Sequence, residues 1–468
     1  MSNDQQILKC RDDKAPVILL KSTNPADDAE PFKLRDGCEC SWLKKGDSLG
    51  PEKLRPRIEP WMTALFQSEH LSLLIGSGLS HAVHYIATNK DMPGMKTVEF
   101  KHFDEEINAE AKRSAKAADR GGDCNIEDQI RVANELLRGL EIIPQSFEGC
   151  KGMAECLKSD LKQCLNEFAL SILVGEAELI TANQKKLVVA FNYLVNFLMS
   201  FASRTGTRDR LQIFTTNYDR YIEVGAEVAG LHLLDRFVGS LSPIFRSSRL
   251  EVDMHYNPPG IRGEPRYLEG VARFTKLHGS LDWVNIDKNI RRIGLPFGAE
   301  SVEPYLNAPG LNGADALKLM IYPNSAKDRE TAAYPYVDLF RDFAAAICRP
   351  NNTLISFGYS FGDEHINRVI EDMLTIPSTH LVIISYDDSS NRIMKMYEGL
   401  GRPAQITLLI GDHLGDFKTL VDYYLPKSAI DRTTFRMAEL LKSRGSVDQM
   451  DTLEEMTGEP TAHEDDEK

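Results

Sequence analysis

At 468 residues, 42% of them hydrophobic, the chain is long enough for one large domain or two ordinary ones with ample core. Its 69 acidic residues against 55 basic ones leave a formal net charge of −14, and no basic cluster stands out, which disfavours a direct nucleic-acid surface. The eight cysteines include no CxxC pair, and the N-terminal MSNDQQILKCRDDK has no apolar signal region, so reduced thiols and a cytoplasmic location are expected.

In chain order, residues 1–59 read as an N-terminal extension: mixed in composition, charged, weakly periodic and punctuated by Asn24-Pro25 and Gly50-Pro51. Pro60–Gln67 reads as a helix leading into Leu71–Ile75, a short apolar run that suits a strand buried on both faces. That run breaks into Gly76-Ser77-Gly78 and then Ser80. The glycines allow a tight turn and a close ligand approach, and a helix starting near Leu79 would favour a phosphate there. By itself such a stretch after a strand is more often a plain turn. His81 and His84, spaced i and i+3, read as helix-face residues rather than metal ligands.

Residues 99–205 read as a helical insertion. Phe103–Lys116 is rich in helix formers, and Asp119–Asp123 breaks it. Asn125-Ile126-Glu127-Asp128 resembles a capped helix start, after which Ile126, Ile130, Ala133 and Leu137 trace one face that ends near Gly139. Met153–Val174 and Gly175–Phe201 supply further helices. Leu187–Ala202 is the most membrane-like stretch, but it is shorter than the roughly 20 residues a span needs and is interrupted by Asn192 and Asn196, so a buried helix is expected.

The chain then alternates apolar strands with helices, which predicts an α/β fold: a Rossmann-like parallel sheet covered by helices. Strands at 211–216, 274–277, 352–357, 381–385 and 404–410 each end in a polar or glycine cluster, respectively Asn217-Tyr218-Asp219, His278-Gly279-Ser280, Gly358–Asp363, Tyr386-Asp387-Asp388 and Gly411-Asp412-His413. Ligands in open α/β sheets bind at the carboxyl ends of the strands, so one cleft is expected to gather the Gly76, Asn217, His278, Gly358 and Gly411 loops. Taken singly, His278 reads first as a satisfied strand-end histidine, and Asn217 and Asp219 are equally helix caps. Residues 431–468 read as a helix and a disordered acidic tail.

GSGLS at 76–80, TTNYD at 215–219, LHGS at 277–280 and GYSFGD at 358–363 occur in an order that resembles the Sir2 family. The likeness is to the bacterial Sir2-like proteins of antiphage defence more than to the protein deacylases, and it covers about Pro60 to Tyr424. It implies NAD as substrate. Gly76, Ser77, Gly78 and Ser80 would face its diphosphate and nearby ribose, and Thr216, Asn217 and Asp219 its nicotinamide end. His278 and Asn217 would be catalytic. Gly358, Ser360, Ser385 and Tyr386 would line the adenosine half, with Asp412 and His413 near the adenine.

Three departures from the deacylases shape the expected reaction. No cysteine lies between His278 and Cys348, so the four-cysteine zinc module is missing and no zinc is expected. The Pro-Asp-Phe-Arg element is not visible, its nearest match being Asp91–Lys96. Asn217 and His278 stand 61 positions apart, farther than in deacylases. Water then becomes the expected acceptor, giving an NAD hydrolase that depletes NAD in antiphage defence. The resemblance further implies a homo-oligomer controlled by a HerA-like ATPase. The alternatives are a Sir2-type deacylase or ADP-ribosyltransferase, and a non-catalytic subunit that binds NAD or ADP-ribose.

Overall fold

The computed structural model describes residues 5–427 except 23–30, 39, 45, 95, 118–123, 144–149, 203–208, 250–251, 257–265, 269, 287–288, 309, 312–313, 315–318 and 321–333. The helix breaker at 119–123 and the acidic tail lie outside the described residues.

Eleven strands form one sheet. In chain order they are β1 (Gln5–Lys9), β2 (Val17–Lys21), β3 (Phe32–Leu34), β4 (Ser48–Leu49), β5 (His70–Ile75), β6 (Leu211–Thr215), β7 (His232–Leu234), β8 (Val271–Lys276), β9 (Asn352–Phe357), β10 (His380–Ser385) and β11 (Ile406–Ile410). Their spatial order is β4-β3-β2-β1-β11-β10-β9-β5-β6-β8-β7. From β11 to β7 every neighbouring pair is parallel. The expected α/β architecture is therefore present. From β5 the chain proceeds to β6 on one side, and it later returns to β9 on the other. The topological switch point thus lies between β5 and β9, where a doubly wound sheet opens its crevice.

Alternation along the parallel strands feeds two cores. Leu73, Ile75, Ile213, Ile355, Phe357, Val382 and Ile384 pack with α1 (Pro51–Phe66), α2 (Ser77–Thr88), α6 (Gln184–Ala202) and α7 (Tyr221–Ala229). Their neighbours Leu74, Phe214, Leu354, Leu381 and Ile383 pack with three further helices, Tyr336–Ile347, Glu364–Leu374 and Arg392–Leu400. Strands buried on both faces read as continuous apolar runs because neither face meets water.

The described residues between 5 and 59 are built into this sheet rather than appended to it. β1 pairs antiparallel with β11, β2 to β4 extend the edge antiparallel, and α1 runs from Pro51 across residue 59 without a break. Strands of five, five, three and two residues present too little alternation to stand out in a charged sequence.

Between β5 and β6 stands the expected helical layer: α3 (Asp104–Ala117), α4 (Ile126–Ile142), α5 (Cys150–Ile180) and α6. α5 continues through Gly175, where the sequence suggested a boundary. The absent side chain there leaves room for Met92, whose Cε would lie 3.3 Å from a Cβ, and the Gly175 carbonyl accepts from the Tyr221 hydroxyl at 2.9 Å. α6 contains the membrane-like stretch. Its Leu194, Phe197 and Leu198 are fully buried, and Phe197 meets Phe357 and Phe417 at 5.1 and 5.4 Å. Among the described residues, no helix is long and apolar enough to cross a membrane.

A five-stranded second sheet includes Ser280–Ile286, Asn289–Arg292 and Ile244–Phe245. Its Leu281, Val284 and Ile286 share a core with α3, α4 and α5. The long interval between Asn217 and His278 is filled by α7, β7, β8 and short strands of this region.

Candidate active site

The switch point is made by three glycines. Gly76, in extended conformation, ends β5 and opens α2 without a side-chain cap. Gly358 ends β9 at φ +61°, and a Cβ there would lie 2.7 Å from the Gly78 α-carbon. The Gly78 N–H donates to the Gly358 carbonyl at 3.1 Å, and the Gly76 N–H to the Phe357 carbonyl at 3.0 Å. Two loops therefore touch backbone to backbone, a contact that only glycines permit.

Around this contact lies a cleft of about 390 Å³, a size ordinary for small-ligand sites. It is lined by Gly76, Ser77, Ser80, Thr216, Asn217, Asp219, His278, Gly358 and Ser360 among others. The loops after β5, β6, β8 and β9 thus converge as the sequence pattern requires. A neighbouring hollow shares Ser77, Gly358, Ser360 and Arg392 with the cleft and adds Gly78, Ser385 and Tyr386. Tyr386 is 58% exposed beside it.

Asp412 and His413 line neither space. The loop after β11 is held instead by the N-terminal strand. Gln6 Oε1 accepts the backbone N–H groups of His413 and Leu414, both at 3.1 Å, and the Gln6 amide donates to Asp412. The His413 ring packs on Phe32 at 4.7 Å, with Nε2 paired to the Tyr424 hydroxyl at 2.8 Å. The fifth loop turns to the β1 side because an antiparallel strand lies there.

Within the cleft, Asn217 is fixed through its amide. Nδ2 donates to the Gly76 carbonyl and to Ser80 Oγ, both at 3.0 Å, and its backbone N–H donates to Thr215 Oγ1. Ser80 Oγ donates in turn to Asp219 Oδ1 at 3.0 Å, which also accepts the Tyr221 N–H at the start of α7. Asp219 therefore orients Ser80 and holds the helix start together. With both amide protons engaged, Oδ1 is the polar atom that Asn217 retains for a ligand. Beneath the loop, buried Lys276 donates to the Asp219 carbonyl at 2.5 Å and to Glu223 at 2.8 Å.

His278 lies across the cleft with Nε2 paired to Asp363 Oδ2 at 2.9 Å. The other Asp363 oxygen accepts the N–H groups of His365 and Ile366 at 2.9 and 3.4 Å, capping the helix Glu364–Leu374. The Tyr218 ring sits 6.4 Å from the His278 ring, and its hydroxyl donates to Glu127 at 3.1 Å. Burial drives the Tyr218 hydroxyl well above its ordinary pKa, with nearby Glu127 adding to the shift, so it remains a neutral donor.

The insertion roofs the cleft. Asn125, Glu127 and Asp128 line it from the α4 start, where a reciprocal capping box between Asn125 and Asp128 is present. Phe168, Ser171 and Ile172 of α5 line it as well. A buried ion pair anchors α5: Arg220 Nη2 meets Glu176 Oε2 at 2.5 Å, and the same guanidinium donates to the Pro296 carbonyl. Breaking such a pair leaves one buried charge uncompensated, at a cost of about 3–5 kcal/mol. Met92, Pro93 and Gly94, in the nearest match to the missing Pro-Asp-Phe-Arg element, also border the cleft.

His81 lines the cleft, while His84 is fully buried between the Tyr221 hydroxyl at 3.0 Å and Glu178 at 3.4 Å. Its acidic neighbour comes from α5, which sequence proximity could not reveal. Desolvation lowers the His84 pKa, favouring the neutral ring. No group of three or more metal-ligating side chains occurs among the described residues.

Sequence reasoning missed Asp363, Glu127 and Arg392. Asp363 carried a signal, since Asp before Glu364-His365-Ile366 is a helix N-cap pattern. Arg392 borders both the cleft and the hollow, and its Nη2 donates to Ser390 at 3.1 Å. Its buried Nε has no hydrogen-bond partner among the described residues, and its guanidinium fills the space beside Gly362.

Residues 211–401 match the family model described as SIR2-like domain. Asn217, His278, Asp363 and Arg392 fall inside the match, whereas the Gly76–Ser80 loop and the helical insertion precede it. No curated protein matches the chain.

Proposed function

From the SIR2-like domain at residues 211–401 we propose that the chain hydrolyses NAD to ADP-ribose and nicotinamide. The observation that carries this reading is the convergence of Asn217 and His278, from loops 61 positions apart, on a cleft founded on the glycine contact. Sir2-like domains bind NAD, and these residues suit it. The α2 start and the glycine loops offer backbone close to a diphosphate, and Arg392 supplies a cation at the junction of cleft and hollow.

The reaction breaks the bond between the ribose C1′ and the nicotinamide ring nitrogen, which keeps the electron pair and leaves as neutral nicotinamide. Positive charge develops on the sugar, and fixed dipoles such as Asn217 Oδ1 stabilise it without reorganising. Water forms the new C1′–O bond, and the proton it releases passes to His278 and then to solvent. The cleft is roofed by helices of the insertion, and water can serve there as the acceptor with no peptide having to enter. By its resemblance to antiphage-defence proteins, the chain acts in a homo-oligomer as an NAD-depleting effector under a HerA-like ATPase.

The test is product identity. The purified chain, alone and with a candidate ATPase, is incubated with NAD, with and without an acetylated peptide. Free nicotinamide with ADP-ribose, unaffected by peptide and reduced at least about 10²-fold by His278→Ala, is expected. O-acetyl-ADP-ribose formed in step with peptide deacetylation would replace hydrolysis by deacylation.

A further inference from the structure

The imidazole of His278 can serve as a base only at the nitrogen that lacks a proton, and Asp363 decides which nitrogen that is. Asp363 Oδ2 pairs with Nε2 at 2.9 Å, so one of the two must donate. Its Oδ1 accepts two backbone N–H groups at the start of an 11-residue helix. Both the donors and the positive end of the helix favour the carboxylate as an acceptor. The proton of the neutral ring then resides on Nε2, and the lone pair on Nδ1. Asp363 is itself only 8% exposed, and its orientation is set by the helix it caps rather than by solvent.

We propose that Asp363 is a positioning residue that holds neutral His278 in the Nε2–H form, leaving Nδ1 as the atom that takes the proton in NAD hydrolysis. This rests on the hydrolase reading for its kinetic consequence, but the tautomer itself can be observed without turnover. Asp363 acts through His278 and needs no contact with the substrate. The arrangement ties the β8 loop to the β9 loop, so the base is oriented by a residue 85 positions later in the chain.

The experiment uses the full chain labelled with ¹⁵N-histidine, with His278→Ala to assign the signal among the eleven histidines. Asp363→Asn and Asp363→Ser are compared with the unaltered protein, because Asn and Ser both retain capping ability. Expected are an Nε2–H signature in the unaltered chain, its loss or reversal in Asp363→Asn, and thermal midpoints close to the parent. kcat should fall about 10²–10⁴-fold in Asp363→Asn with KM little changed. Asp363→Ser should also lose turnover, so that a folding defect in one variant does not decide the matter. An Nδ1–H form in the unaltered chain, or kcat within about threefold of parent in both folded variants, overturns the inference. An Nε2–H form in a protein that makes no ADP-ribose in any assembly sinks the hydrolase reading and leaves the tautomer assignment standing.

Discussion

Gly358 and Gly78 approach so closely that a Cβ on the first would lie 2.7 Å from the α-carbon of the second. That contact joins β9 to the start of α2 at the switch point, where neither loop can retreat without moving a central strand. Gly358 also holds φ +61°, in the left-handed region that favours glycine.

Gly358→Ala should therefore be costly on two counts, backbone strain and overlap, together about 2–4 kcal/mol of stability. Chemical denaturation checks the first consequence, and titration with ADP-ribose checks the second. Binding should weaken at least about 10-fold, even at temperatures where the variant remains folded. Parent-like stability and affinity would mean that the two loops are free to separate.

Ser80 stands between Asn217 and Asp219, accepting from one and donating to the other. Ser80→Ala removes the hydroxyl from this relay and leaves Asn217 held by the Gly76 carbonyl and its own backbone. We expect kcat to fall about 10-fold or more, because a loosened amide no longer presents its oxygen at a fixed place, with a stability loss of about 1–2 kcal/mol. Steady-state kinetics beside thermal melting separate these effects. A loss confined to KM would assign Ser80 to substrate contact instead.

Acid should loosen the edge where the N-terminal strands dock. Burial depresses the pKa of both His380 and His413 to about 4. His380 pairs with Thr407, which also receives the Trp61 indole N–H of α1, and His413 packs on Phe32 of β3. The sign follows from proton uptake: between about pH 6.5 and 4 the unfolded chain binds protons that the folded chain refuses. Their contribution is complete above the unfolded value and is lost as pH falls toward 4, on the order of 3 kcal/mol for each histidine. Urea midpoints measured from pH 7.5 to 4.5 should decline, and the decline should flatten in His380→Gln/His413→Gln. An unchanged slope in that double variant would place the acid sensitivity elsewhere.

The sequence by itself determined the parallel sheet and the polar clusters at the ends of its strands. Runs such as Leu71–Ile75 and Leu381–Ile384 are apolar because both faces are covered, and the glycine, Asn217 and His278 clusters follow where a strand ends and the chain must turn. These are local signals, carried by neighbouring residues. The N-terminal strands were not legible, because two- to five-residue edge strands take their identity from a partner: Ile7 pairs with Ile410 across nearly the whole chain. Only the tertiary structure decided that Gln6 draws Asp412 and His413 away from the cleft, that Glu127 and Asn125 enter it from the insertion, and that Asp363 meets His278. Such pairings depend on where strands and helices come to lie in space, and a carboxylate or an amide gives no sign in sequence of the distant group that it will orient.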